Sequence, residues 1–141
     1  MEMNVNEFEA VFTSSNPHIE RLHREADAIQ QCMELSARLT DPSALTYRLN
    51  DLDTYMARLG DMMIRAKAMK ERAKCTFVTQ NGDELNKLSA TVSNRKIDAF
   101  LQDYAILYSR LDTMYGTIEH LTRDLVTQIS YIKKQMEQFG G

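Results

Sequence analysis

A basic segment in the middle of this 141-residue chain carries its most distinctive chemistry. Residues 58–96 hold nine bases and four acids, whereas residues 1–57 hold ten acids and four bases, and the whole chain has a net charge of −3. Clustered cations of this kind bind a phosphate backbone by releasing its counterions. The segment therefore predicts a nucleic-acid-binding site. The residues assigned to it are Arg65, Lys67, Lys70, Arg72, Lys74, Arg95 and Lys96.

The same cations also suit the solvated face of an ordinary coiled coil, where Lys and Arg are common. Lys70 is the sharper case because it falls on a heptad seam, where an ammonium group must reach water, fix the register or meet a ligand. Phe77, close to Lys74, is the aromatic residue best placed to stack on a base. The tyrosines at 104, 108 and 115 recur with helical spacing and are predicted to pack in the core.

No pattern typical of catalysis accompanies these cations. The chain has no Gly-rich phosphate loop, no GxSxG motif and no Cys/His nucleophile signature. Its three histidines are scattered, and Cys32 and Cys75 lack metal-binding spacing. We predict a protein that is not an enzyme and holds no metal or cofactor. The isolated cysteines indicate a location in the cytoplasm, which is that of the host cell if the protein is viral. No apolar run is long enough to cross a membrane, so we do not expect the membrane to be a partner.

Apolar residues at alternating three- and four-residue steps predict three helices. The first spans about 17–39 and begins at Asn16-Pro17, where Asn can cap and Pro loses no hydrogen bond. The second spans 42–79, begins at Pro42 and is capped by Asp41. A turn at 80–84 follows, built on an Asn-Gly pair that favours positive φ. The third helix spans 92–138. Residues 1–15 form an acidic flexible arm and 16–141 a single helical domain, with the conformation of 84–94 left open.

The final helix is apolar around much of its circumference, since a stripe through Leu107 and Met114 runs beside the main seam. A face that wide needs more than one packing partner. We therefore expect an all-α fold: an elongated antiparallel helical hairpin or three-helix bundle with coiled-coil heptads, assembled into a homo-oligomer. The oligomer interface is assigned to Leu111, Tyr115, Ile118, Leu125, Ile129 and Ile132.

The order of these features resembles the phage recombination mediators of the UvsY type. The resemblance covers roughly residues 45–136 and is carried by the basic stretch RAKAMKERAK, the Asn-Gly turn, a Lys-Leu-Ser linker and the long helix DYAILYSRLDTMYGTIEHLTRDLVTQISYIKKQM. It implies a helical protein that assembles into rings, binds single-stranded DNA and helps to load a recombinase. It also implies an oligomer interface on the final helix. The turn TFVTQNGDE and the acidic arm depart from the family's pattern. The DNA-contacting residues implied are Lys67, Lys70, Arg72 and Lys74.

Three classes of function are compatible with these residues. The first is a homo-oligomeric accessory protein that binds single-stranded DNA and a recombinase or other protein. The second is a coiled-coil interaction module without nucleic-acid binding, such as an adaptor, a chaperone or a phage inhibitor of a host system. The third is a ligand site or cryptic enzyme inside the bundle, which no motif requires. We take the first as the working hypothesis.

Overall fold

The chain folds into α-helices throughout the residues that the structure describes. The structure is a computed structural model and describes residues 16–34 and 41–140. In these ranges the helices are α1 (Pro17–Glu34), α2 (Pro42–Gln80), α3 (Gly82–Asn86), α4 (Ala90–Phe100) and α5 (Gln102–Phe139). The all-α fold class is confirmed. The predicted arm at 1–15 and the predicted end of the first helix at 35–39 lie outside the described residues.

Helices α1 and α2 begin at the two predicted prolines, but only α1 has a side-chain cap. Asn16 Oδ1 accepts hydrogen bonds from the backbone N–H groups of His18 and Ile19, at 3.0 and 3.3 Å. These bonds satisfy two of the donors that a first helical turn leaves free. Asp41 has an extended backbone (φ −81°, ψ 126°), as the residue before a proline requires, but its side chain makes no capping bond. Asp41 is thus the N-cap residue of α2, as predicted, but it occupies this position without a capping side-chain bond.

Helices α2 and α5 run antiparallel to each other. Gly60, in the middle of α2, lies against the ring of Tyr115 in the middle of α5. Near the end of α2, Phe77 stacks on Phe100, which lies two residues before the start of α5. As one helix is followed forward, its contacts therefore move backward along the other. The bundle is built on this helical hairpin.

Helix α1 lies along one side of the hairpin, parallel to α5 and antiparallel to α2. At its start, Asn16 Nδ2 donates a hydrogen bond to Tyr104 Oη at 2.7 Å, near the start of α5. At its end, the Met33 carbonyl accepts a hydrogen bond from Arg48 at 2.9 Å, near the start of α2. The three long helices thus form a bundle over the length of α1.

The hydrophobic core lies where α1, α2 and α5 meet. Full burial of a large aliphatic side chain such as Leu or Ile stabilises a fold by about 1.5–3 kcal/mol. The buried side chains between these three helices are therefore the main source of stability in a single chain. The largest side chains with less than 2% exposure are Leu52, Leu59, Met62, Leu107, Leu111 and Ile118. The contribution of α1 is Ile19, Leu22, Ala26 and Ile29.

Helix α1 covers the stripe of α5 that was predicted to need a further partner. Leu107 and Met114 of that stripe are buried, whereas Tyr108 and Tyr115 on the main seam are half-buried. On α2 the same effect buries Met62, which lies beside the predicted seam. The wide apolar face is therefore satisfied within one chain along this part of α5, so the width alone does not require a second copy.

The connection between α2 and α5 differs from the predicted turn and single final helix. Asn81 ends α2 with its side-chain amide donating to the Phe77 carbonyl at 2.9 Å, and no described residue has a positive φ. The one-turn helix α3 follows, and Ser89 then caps α4 by accepting from the Val92 N–H at 3.3 Å. The helix is interrupted again at Leu101, a buried residue that lies between α4 and α5. Both a positive-φ Asn-Gly turn and an unbroken helix from 92 to 138 are therefore wrong.

The last third of α5 extends past the end of α1. Glu34, the last residue of α1, lies level with Thr117 and Leu121, and among the described residues no side chain of α5 after Ile118 is buried. Large apolar side chains are exposed here, namely Val126, Tyr131, Met136 and Phe139. None of the described helices combines the length and the apolar character needed to cross a membrane.

Candidate nucleic-acid interface

The helical geometry divides the basic residues of α2 between two sides. Lys67, Lys70 and Lys74 are three and four residues apart, so they form one row, which we call the lysine flank. Arg65 and Arg72 are seven residues apart and lie roughly 140–180° around the helix from those lysines, given 3.6 residues per turn. These cations are close together in the sequence, but on the helix they lie in two rows on opposite sides.

Two arginines on this side of α2, Arg58 and Arg65, are engaged with carboxylates, whereas Arg72 forms no ion pair among the described residues. Arg58, on the same side of α2, pairs with Glu25 of α1 and lies 3.7 Å from Asp61. Arg65 Nε lies 3.1 Å from the same Asp61 carboxylate. These ion pairs are partly exposed, and each contributes at most about 1 kcal/mol to the stability of the fold. They nevertheless neutralise the charges of the two arginines locally. Arg65, one of the predicted DNA-binding residues, is therefore already paired.

The lysine flank lies on the side of α2 away from α1. Lys67 and Lys74 are exposed and Lys70 is half-buried. None of the three forms an ion pair with a carboxylate of the described residues within 4.0 Å. At Lys70 the four-carbon stem can cover part of the seam while the ammonium group stays hydrated. The flank thus offers three cations about one helical turn apart along a length of roughly 10 Å.

Arg95 and Lys96 are exposed on α4, at the same end of the molecule as Lys74. The stack of Phe77 on Phe100 holds α4 against the last turns of α2. Residues 58–100 hold nine bases and five acids, which gives this region a net charge of +4 within a chain whose net charge is −3. The two predicted basic clusters are therefore brought to one end of the bundle.

The tyrosines of α5 serve the core, as predicted from their spacing. Tyr104, Tyr108 and Tyr115 are partly buried against the central hydrophobic cluster. Tyr104 also accepts the hydrogen bond from Asn16 that fixes the start of α1. Their rings are consequently engaged in packing, which disfavours base stacking at these three positions.

Two of the residues assigned to an oligomer interface belong to the core of the single chain. Leu111 and Ile118 have no exposed surface, so they cannot contact another copy of this fold, and their assignment is wrong. Tyr115 is half-buried against Gly60. The remaining three, Leu125, Ile129 and Ile132, are half-buried in the part of α5 beyond α1. These three residues and Tyr115 are the assigned residues that retain exposed surface.

Arg110 joins α1 to α5 and was not identified from the sequence. Its guanidinium donates to Asp27, to Gln30 at 3.1 Å and to the His23 carbonyl at 3.3 Å, and it lies 3.0 Å from His23 Nδ1. A half-buried Arg whose two terminal nitrogens make four such contacts fixes one helix against another. The only signal in the sequence is the i, i+4 spacing of His23 and Asp27, which does not specify a partner 83 residues away.

We expect His23 to make stability depend on pH. Its pKa is lowered, first by burial and then by Arg110, while Asp27 and Asp103 act in the opposite direction. A group with a lower pKa in the folded state binds protons more readily when unfolded. The free energy of unfolding should therefore fall as the pH drops below about 6.5, and the loss should end below the folded-state pKa. Urea denaturation between pH 8 and pH 5 measures this dependence.

The matched comparison uses His23→Gln and, as a control at an exposed histidine, His18→Gln. The first variant should lose part of the decrease in unfolding free energy between neutral and mildly acidic pH. The second should retain the dependence of the unmodified chain. Equal pH dependence in all three proteins would exclude His23 as the source.

The described part of the chain also carries His, Cys, acidic and Tyr side chains outside the basic surfaces. No group of three or more His, Cys, Asp or Glu side chains is arranged there to hold a metal ion. The pKa of Tyr55 is raised, chiefly by its hydrogen bond with Cys32 and then by burial. An open groove of about 500 Å³ runs between α1 and α5 beside Arg110, Met33 and Leu121.

The lysine flank, together with Arg95 and Lys96 of α4, is therefore the surface of the described chain best suited to a negatively charged partner. Comparison with protein-family models, with curated proteins and with solved structures found no match to this chain. Its function is accordingly inferred from its own surfaces and charges.

Proposed function

We propose that this chain is a homo-oligomeric accessory protein that binds single-stranded DNA, in the manner of the phage recombination mediators that its sequence resembles. The observation that carries the proposal is the lysine flank: three cations in a row on α2, without carboxylate partners among the described residues, in an otherwise acidic chain. Arg95 and Lys96 extend this positive region onto α4. Arg72 is exposed on the other side of α2 and adds a weaker contribution.

The role of such a surface follows from counterion release. A single strand that lies along the flank exchanges its condensed cations for lysine ammonium groups, and the released ions make binding favourable and sensitive to salt. The contacts are to phosphates, so binding should have little sequence preference. A mediator of this kind holds the strand while a recombinase or another protein is loaded. We place this activity in the cytoplasm, in keeping with two free cysteines.

Self-association is proposed for the distal part of α5. Leu125, Ile129 and Ile132 are half-buried there, beside the exposed side chains of Tyr131 and Met136. Apolar side chains in this arrangement gain further burial when another copy packs on them. Several copies would also bring several lysine flanks onto one strand, which raises the overall affinity without new contacts.

Native mass spectrometry of the full chain with and without oligo-dT tests both parts of this function. We expect masses of an assembly rather than of one 16.3 kDa chain, and a further mass shift when oligo-dT is present. The fraction bound should fall steeply as the ammonium acetate concentration rises. A monomer without retained oligo-dT at low salt would refute the proposal.

The second candidate is a coiled-coil interaction module, and the exposed apolar side chains at the end of α5 favour it. In this case the lysine flank meets an acidic protein and the distal part of α5 docks a helix. Co-purification of one defined protein partner, together with no retention of oligo-dT at low salt, would favour this alternative.

A further inference from the structure

The aromatic pair at the basic end of the molecule has a free surface. Phe77, near the end of α2, stacks on Phe100, the last residue of α4, with ring centroids 4.4 Å apart and an angle of 18° between the rings. Phe100 is 49% exposed, whereas Phe77 is half-buried. A phenyl ring has two faces, and one face of Phe100 is occupied by Phe77. An exposure of about half indicates that much of the rest of the ring is open to solvent.

Cations flank this pair on both helices. Lys74 precedes Phe77 by three residues on α2, and Lys96 precedes Phe100 by four residues on α4, so each cation shares a helix face with its phenylalanine. Both lysines are exposed. Asp98, the acid nearest to Phe100 in the sequence, lies roughly 160° around α4 from it. An open aromatic ring between cations is the combination that proteins use to bind single-stranded nucleic acid.

We propose that Phe100, supported from behind by Phe77, is a stacking platform for one base of the bound strand. The inference rests on the proposed function, and it adds a reason for the choice of substrate. The bases of a duplex already stack on one another, whereas an unpaired base can place its face on a protein ring. The lysine flank attracts either form of DNA through its phosphates, and Phe100 selects the single strand.

The test compares Phe100→Ala with Tyr47→Ala, which removes a 73% exposed aromatic side chain near the start of α2, at the other end of the molecule. Fluorescence anisotropy with labelled oligo-dT and with a labelled duplex measures both affinities over a range of salt concentrations. Phe100→Ala should weaken oligo-dT binding by about 5- to 150-fold. Its salt dependence should not change, because no phosphate contact is lost. Affinity for the duplex should stay the same, Tyr47→Ala should match the unmodified chain, and Phe100→Tyr should restore binding.

The outcomes separate this inference from the proposed function. If the unmodified chain does not bind oligo-dT, the proposed function fails. If it binds and Phe100→Ala binds equally well, the stacking platform alone is overturned. If Phe100→Ala instead changes the mass of the assembly and leaves the affinity per subunit unaltered, the ring is a contact between copies, which also overturns the platform.

A crosslinking experiment on the unmodified chain avoids any loss of folding in the variants. Oligonucleotides that contain 5-bromodeoxyuridine are irradiated in the complex, and the attached peptides are identified by mass spectrometry. We expect attachment at Phe100 or Phe77. Attachment only to peptides of α1 or of the distal part of α5 would refute the platform.

Discussion

Reversal of the lysine flank, as Lys67→Glu, Lys70→Glu and Lys74→Glu together, is expected to reduce affinity for oligo-dT on the order of 100-fold at low salt. Three phosphate contacts are lost and three repulsive charges replace them. The slope of log affinity against log salt should fall by about 2, since each contact with a single strand contributes about 0.7 to it. Salt titrations followed by fluorescence anisotropy measure both quantities.

The matched control reverses an equal number of cations at the other end of the molecule. Arg123, Lys133 and Lys134 are exposed on the distal part of α5, and their replacement by Glu changes the net charge of the chain by the same amount. Native mass spectrometry first establishes that this variant keeps the assembly mass of the unmodified chain. At equal assembly mass, only a small loss of affinity is expected, from the weaker overall field of the protein. Equal losses in both variants would mean that net charge, and not the lysine flank, attracts the DNA. Unchanged binding after reversal of the flank would refute the proposed site.

Substitution of Leu111 by Ala should lower the free energy of unfolding by about 2–5 kcal/mol. Leu111 has no exposed surface and belongs to the core between α1, α2 and α5. Removal of its three outer carbons loses burial and leaves a cavity that the surrounding helices cannot fully close. Urea denaturation followed by circular dichroism measures the loss, which should be the same at low and high protein concentration because the contacts lie within one chain.

Leu125→Ala provides the comparison, since Leu125 is half-buried in the part of α5 beyond α1. Its effect within one chain should be smaller, about 1 kcal/mol. If copies associate through this region, the loss should also depend on protein concentration, because association stabilises the folded state by mass action. A loss at Leu111 that depends on concentration, together with a loss at Leu125 that does not, would contradict this division between core and interface.

Much of the secondary structure can be predicted from the sequence because its signals are local. Asn16-Pro17 and Pro42 fix the starts of α1 and α2 through backbone constraints that act within one turn. The alternating three- and four-residue spacing of apolar residues identifies the buried side of each long helix to within one neighbouring row. The break at Leu101 could not be predicted in this way. Its side chain fits the apolar seam of a continuous helix, and the interruption depends on how α4 packs against the end of α2.

The sequence by itself determined that the chain has a basic segment, where this segment lies, and that it falls on a long helix. The tertiary structure decided which of its cations remain available, because α1 lies on one side of α2 and supplies the carboxylate that pairs with Arg58. It also decided that Leu111 and Ile118 belong to the core of one chain rather than to an interface. Periodicity shows that a helix has an apolar face, but the identity of the helix that covers each part of that face depends on contacts between residues far apart in the sequence.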